Sequence, residues 1–152
     1  MRDRPDRAAF IKSVVGKPYR LGGQGPDEFD CYGLTRYVQR NLFGRDMPLF
    51  QAPEHIGLQA IAGFLQVHPE RRNWRPVSKP VDGAIVSMFK QNIGHHVGTW
   101  LREDGGVILH TVGGGEAGDK PDTSMGVVVD NVFRMKVPPK CWTAFKYYIP
   151  RD

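Results

Sequence analysis

A helical pattern of apolar residues marks residues 31–43 of the chain. Asp30 stands before this pattern as a good N-cap, and Gly44 follows it as a good stop. Four residues at helical spacing make the apolar face: Leu34, Tyr37, Val38 and Leu42. The pattern therefore predicts a helix over 31–43 that begins at Cys31.

Two weaker helical patterns flank this one. The first covers residues 5–15, with Pro5 suited to a first turn, and the second covers residues 53–66. Residues 16–30 contain four glycines and two prolines, which break any period. We expect a short helix, a loop, the helix over 31–43 and then a further helix.

The pattern changes to short apolar runs after Pro80. Glu103-Asp104-Gly105 separates two of these runs and predicts a hairpin, whereas the polar stretch 113–125 predicts an exposed loop. The runs predict strands over five segments: 84–89, 96–102, 106–112, 126–130 and 145–149. Because helices come first and an antiparallel sheet second, the expected class is α+β, as a single domain over 1–152.

Composition narrows the classes of protein. The 152 residues are 40% hydrophobic and 24% charged, which is globular, and no apolar run is long enough to insert into a membrane. The net charge of +5 comes from scattered basic residues without a nucleic-acid motif, so we expect a solvated surface and no nucleic acid. The opening MRDRPDRAAF lacks the apolar stretch of a signal peptide, which predicts a protein made in the cytoplasm.

The two cysteines have different surroundings. Cys141 lies among aromatic residues in KCWTAF, which is typical of a small buried side chain. Cys31 falls in the first turn of the predicted helix, where free N–H groups and the helix dipole favour a thiolate. A disulfide between the two would be an unusual staple for a core of this size. Without CxxC spacing, a structural zinc site is not expected.

A nucleophilic thiol needs a base, and histidine is the usual one. Neighbouring residues of a strand point to opposite faces, so only one of His95 and His96 can serve a given site. His110 lies on the partner strand of the hairpin, but its pairing with His96 needs an offset that the sequence does not show. The remaining two histidines, His55 and His68, receive no role.

These residues alone leave alternatives open. Cys31 can be a buried thiol at a helix start, with His96 and His110 as ordinary sheet histidines, and spacing alone favours this interpretation. A metal site made of the same three residues is a weaker alternative, because short ligand spacing is lacking.

Three segments in order resemble the NlpC family of cell-wall cysteine peptidases. GKPYRLGGQGPDEFDCYGL resembles its nucleophile segment, which reads roughly G-x-P-Y-x-x-G-G and then F-D-C-S-G-L/F. DGAIVSMF followed by HHVGTWL, and then VILHTV, resemble its later strands. Together the three cover most of residues 16–112, which reverses the preference for a structural interpretation.

The resemblance implies a papain-like α+β fold with the nucleophile at a helix start. Cys31 would be the nucleophile, His96 the base, since it precedes Val-Gly, and His110 the residue that orients the base. The resemblance also implies three residues for the oxyanion or the substrate: Tyr19, Asp30 and Tyr32. Tyr32 stands where the family has a serine, so the bulkier ring reshapes the pocket that meets the stem peptide.

The implied reaction hydrolyses the bond between γ-D-glutamate and a diamino acid in peptidoglycan stem peptides, with no metal or cofactor. Single-domain members of the family that lack a leader and have an extra helix after the nucleophile look like the tail-associated peptidases of phages. We therefore expect a phage or prophage tail protein whose partners are stem peptides and other tail proteins. The alternatives are an enzyme that recycles stem peptides in the cytoplasm, an acyltransferase at the same thiol, and a decayed structural module of a tail.

Overall fold

The structure of the protein is a computed structural model. It describes residues 6–20, 22–47, 74–90, 93–112, 122–137 and 142–150. Residues 90, 93–95 and 122–125 are described by their backbone alone. The predicted helix over 53–66, Cys141 and the first part of the 113–125 loop lie outside these residues.

The two helices predicted within this part of the chain are present. Helix α1 covers Arg7–Val14 and helix α2 covers Cys31–Phe43. Asp30 caps the start of α2, and Gly44 ends it in the left-handed region at φ 65°. A third helix, α3 at Val132–Lys136, was not predicted, because five residues are too few to show a period.

Within the described residues, seven strands form one sheet in the order β1-β6-β5-β4-β3-β7-β2, and every neighbouring pair is antiparallel. The strands are β1 at Pro18–Tyr19, β2 at Trp74–Val77, β3 at Ile85–Lys90, β4 at Ile93–Leu101, β5 at Val107–Thr111, β6 at Asp122–Asp130 and β7 at Ala144–Pro150. The expected α+β class is confirmed.

Three details of the strand prediction were wrong. The loop predicted over 16–30 contains β1, which pairs with β6. Strand β2 was missed, because four residues that include a proline carry little strand signal. Strand β6 begins at Asp122, so the last residues of the loop predicted over 113–125 belong to the sheet. Whether each of these segments forms a strand depends on the strand that it pairs with, which the sequence does not reveal.

The hairpin between β4 and β5 forms as predicted. Glu103–Gly105 make a short 3-10 turn, with Asp104 at φ 51°. Arg7 of α1 holds this turn: its guanidinium lies 2.7 Å from a carboxylate oxygen of Glu103 and 2.8 Å from one of Asp82. The arrangement ties the first helix to the tip of the hairpin.

The central strands carry apolar side chains on both faces. Helices α1 and α2 pack on one face through a cluster of eight buried residues: Val14, Phe29, Leu34, Val38, Leu101, Val107, Leu109 and Val127. A second cluster, which contains Ile108 and Met135 and against which Trp142 packs, includes the alternate positions of the strands. Among the described helices, none is long and apolar enough to cross a membrane.

Candidate active site

Cys31 is the first residue of α2, and its free thiol is fully buried. The backbone N–H of Val97 lies close enough to the sulfur to lower its pKa, and the Val97 side chain belongs to the same apolar cluster as Cys31. That N–H is part of the peptide bond between His96 and Val97. The fold therefore brings the thiol against the segment of β4 that carries His96.

The protonation of Cys31 differs from the sequence prediction. Burial raises its pKa to about 12, and the nearby charge of Asp30 acts in the same direction. The N–H groups of Val97, Tyr32 and Cys31 itself lower the pKa by less. The prediction of a thiolate was wrong, because removal from water outweighs the helix start, and the group needs a base to take its proton.

His96 and His110 are in direct contact: Nε2 of His96 lies 2.9 Å from Nδ1 of His110. The β4–β5 register pairs Thr99 with Leu109, and one further step sets His110 opposite Gly98. The two histidines thus meet diagonally on one face, which is the offset that the sequence left open.

Gly98 makes this diagonal contact feasible. A Cβ atom at Gly98 would lie 3.0 Å from Cβ of His110 and 2.9 Å from the carbonyl oxygen of Leu109. These distances are too short for a side chain without displacement of β5. The missing side chain therefore leaves the space that the His110 ring needs beside His96.

The contact continues to a third strand. Nε2 of His110 lies 2.9 Å from Oδ2 of Asp130, the last residue of β6. Because the register pairs Ile108 with Asp130, this step is again diagonal. His96, His110 and Asp130 are 6%, 2% and 8% exposed. We call these three residues the imidazole track.

Sequence reasoning missed two residues here, Asp130 and Trp142. The Trp142 ring stacks on His96, with centroids 5.7 Å apart and planes 25° from parallel. The acidic end of the otherwise apolar run GVVVD was the available signal for Asp130. It did not reveal which residue Asp130 meets, since that depends on the register of β5 and β6.

Tyr19 and Asp30 lie on the thiol side of the site. The Tyr19 hydroxyl is buried and has no hydrogen-bond partner among the described residues. Burial raises the Tyr19 pKa, and the charges of Cys31 and Asp30 raise it further. The phenol therefore stays protonated close to the thiol.

Both carboxylate oxygens of Asp30 accept backbone N–H groups, from Gly33 at 2.6 Å and from Gly22 at 2.8 Å. Burial raises the Asp30 pKa, and these hydrogen bonds partly offset that effect. A Cβ at Gly33 would lie 1.9 Å from the carbonyl oxygen of Gly23. The absence of a side chain at Gly33 therefore lets the loop before α2 approach the helix closely.

Tyr32 is buried next to Cys31, in one apolar cluster with Met47, Trp74 and Tyr148. His55 and His68 lie outside the described residues, and His95 is described by its backbone alone. No group of three or more potential ligands in the described part of the chain could hold a metal ion.

The architecture is a mixed α+β fold of the papain-like type. The NlpC/P60 family model matches residues 16–134, and the chain belongs to the NlpC/P60 family. The resemblance seen in the sequence is confirmed at this level.

Proteins similar to the chain include Protein P54 and the hydrolase SagA. Protein P54 of Enterococcus faecium is 45% identical over 40 residues, which are 26% of this chain and 8% of that protein. The crystal structure of the NlpC/p60 domain of the peptidoglycan hydrolase SagA has a TM-score of 0.53 at 23% identity. That match covers 97% of this chain and 100% of the other.

Proposed function

We propose that the chain is a cysteine peptidase that hydrolyses peptidoglycan stem peptides between γ-D-glutamate and a diamino acid. One observation carries the proposal: the Cys31 thiol lies against the peptide that follows His96, whose ring is hydrogen-bonded to His110. Membership of the NlpC/P60 family supports a cell-wall substrate, and SagA, whose domain shares the fold, is described as a peptidoglycan hydrolase.

His96 acts as the general base. Since its Nε2 is engaged with His110, its Nδ1 takes the proton of the Cys31 thiol. A pKa of about 12 keeps the proton on the sulfur until the base removes it. The sulfur then attacks the scissile carbonyl carbon, and the carbonyl oxygen becomes an oxyanion.

N–H groups at the start of α2 stabilise the oxyanion, and the protonated Tyr19 hydroxyl donates a further hydrogen bond. The tetrahedral intermediate collapses, and the bond between the carbonyl carbon and the nitrogen breaks as His96 returns its proton to the leaving amine. Water, deprotonated by His96, then hydrolyses the thioester and restores the thiol.

Asp30 and Tyr32 act on the substrate from the two sides of Cys31. Both oxygens of Asp30 accept hydrogen bonds from backbone N–H groups. Asp30 therefore affects the substrate indirectly, because it fixes the geometry of the start of α2. Tyr32 lies with Trp74 and Tyr148 and forms an aromatic wall next to the thiol. This wall selects the stem peptide.

Digestion of purified muropeptides tests the proposal. We expect the native protein to release a new diamino-acid amine, seen by mass spectrometry and amine labelling, and Cys31→Ala to release none. Cys141→Ser is the matched control and keeps the activity. Equal products from the native protein and Cys31→Ala, or no products from several wall types, would contradict the peptidase and support a structural module. Transfer of the acyl group to an added amine instead of water would identify an acyltransferase.

We also propose that this hydrolase is part of a phage or prophage tail, where it contacts other tail proteins and opens the wall locally. The support is the resemblance of the sequence to tail-associated members of the family. Mass spectrometry of purified particles from an induced lysate tests this location. Recovery from the cytosol alone would favour the recycling of stem peptides.

A further inference from the structure

We infer that Asp130 is a positioning residue that fixes the tautomers of both His110 and His96 and so directs the basic nitrogen of His96. The inference rests on the proposed function for its catalytic consequence only. It comes from the order of contacts along the imidazole track and from what each group can donate or accept.

The first step is the contact between His110 and Asp130. An ionised carboxylate can only accept hydrogen bonds, whereas a neutral imidazole has one N–H donor and one acceptor nitrogen. At 2.9 Å from Oδ2 of Asp130, Nε2 of His110 is therefore the nitrogen that carries the hydrogen. Nδ1 of a neutral His110 is then an acceptor.

The second step is the contact between the two rings. Because Nδ1 of His110 accepts, Nε2 of His96, 2.9 Å away, must donate. A neutral His96 that carries its hydrogen on Nε2 has its lone pair on Nδ1. A carboxylate on β6 thus determines, through a ring on β5, which nitrogen of a ring on β4 is basic.

The same donor-to-acceptor order of hydrogen bonds holds when His96 is protonated. When Nδ1 takes a proton, Nε2–H still donates to His110, and His110 still donates to the carboxylate. The positive charge on His96 and the negative charge on Asp130 face each other across a neutral ring, and no proton moves to Asp130. Since all three residues are buried, this attraction is weakly screened.

Imidazole nitrogen NMR tests the inference without a substrate. In protein labelled at histidine nitrogen, at a pH where imidazoles are neutral, we expect both His96 and His110 to carry their hydrogen on Nε2. We expect Asp130→Asn to populate the other tautomer of His96 and Asp130→Glu to restore the native pattern. Native rings with Nδ1–H, or tautomers unchanged in Asp130→Asn, would overturn the inference.

Kinetics supply the second readout. We expect Asp130→Asn to lower kcat by about 10- to 100-fold with little change in KM, the size found for outer partners that orient a ligating histidine. Asp130→Glu should recover most of the rate. Asp82→Asn is the matched control, because it removes a carboxylate that binds Arg7 far from the track. A fall in kcat in this control as large as in Asp130→Asn would mean general destabilisation and would overturn the inference.

The two proposals fail in different ways. Native protein that hydrolyses no stem peptide but shows the expected tautomers removes the peptidase and leaves the role of Asp130 in place. An active native protein whose histidine tautomers do not depend on Asp130 supports the peptidase and removes the role of Asp130. If Asp130→Asn does not fold, the tautomers of the native protein alone decide the inference.

Discussion

The two halves of the candidate site are held in different ways. On the thiol side, Asp30 binds backbone N–H groups of Gly22 and Gly33, which lie eight and three residues from it in sequence. On the imidazole side, Asp130 binds the side chain of His110, which lies on another strand. The first half is a local cap, and the second is assembled by the register of three strands.

The difference predicts how each half responds to substitution. A change on the thiol side disturbs the start of α2, so its cost should appear in the free energy of unfolding. A change in the imidazole track removes one hydrogen bond between side chains and should appear mainly in turnover. Substitutions on the two sides therefore separate a loss of activity from a loss of stability.

His96→Ala should lower turnover of muropeptides by about 10⁴-fold or more, because loss of the proposed general base leaves the buried thiol protonated. Its circular dichroism spectrum should match that of the native protein. His68→Ala is the matched histidine control and should keep full activity. Appreciable turnover by His96→Ala would assign the base to another residue.

Gly33→Ala should cost about 3 kcal/mol or more in the free energy of unfolding, because the new Cβ would lie against the carbonyl of Gly23. Gly44→Ala, at the other end of α2, is the matched control. It meets no atom within 4 Å and has only the strain of φ 65°, about 1 kcal/mol. Urea unfolding measures both, and equal losses would contradict the close approach at Gly33.

Asp30→Ala should cost about 2 kcal/mol, the upper end for a helix cap, because the buried N–H of Gly33 and the part-buried N–H of Gly22 both lose their acceptor. Asp6→Ala is the matched cap, since Asp6 accepts the Ala9 N–H at an exposed site. Its loss should be about 0.5–1 kcal/mol. If thermal unfolding gives the same loss for both variants, burial does not strengthen the cap.

Two carboxyl groups should give opposite pH dependence. Burial raises the Asp30 pKa above its ordinary 3.8, so the stability due to its protonated form is complete below pH 3.8 and is lost as the pH rises through the folded value. Hydrogen bonds from Arg7 lower the Glu103 pKa from 4.5, so its contribution is present above pH 4.5 and is lost as the pH falls through the folded value.

Urea unfolding from about pH 3 to about pH 7 measures these dependences. The difference in stability between the native protein and Asp30→Asn should decrease as the pH rises. The corresponding difference for Glu103→Gln should increase. Parallel curves for the two variants would contradict the assigned pKa directions.

The helix over 31–43 and its cap could be predicted because all the determinants are neighbours in sequence. Asp30 caps α2 and Gly44 ends it, as the sequence indicated. The β4–β5 hairpin was predictable for the same reason, since the turn itself signals it.

The register and the burial were not predictable in this way. The contact between His96 and His110 needs the pairing of Thr99 with Leu109, and the role of Asp130 needs the pairing of β5 with β6. The pKa of Cys31 moved opposite to the prediction because a helix start is visible in sequence, whereas removal of the sulfur from water depends on distant residues.

The bare Cα of Gly98 has a consequence for how relatives of this chain are assigned. A chain that keeps the cysteine and both histidines but has a larger residue at this position must displace β5, which carries His110. The letters of the cysteine and histidine motifs therefore do not record everything that this arrangement requires. Position 98 belongs beside them when a relative is compared with this chain.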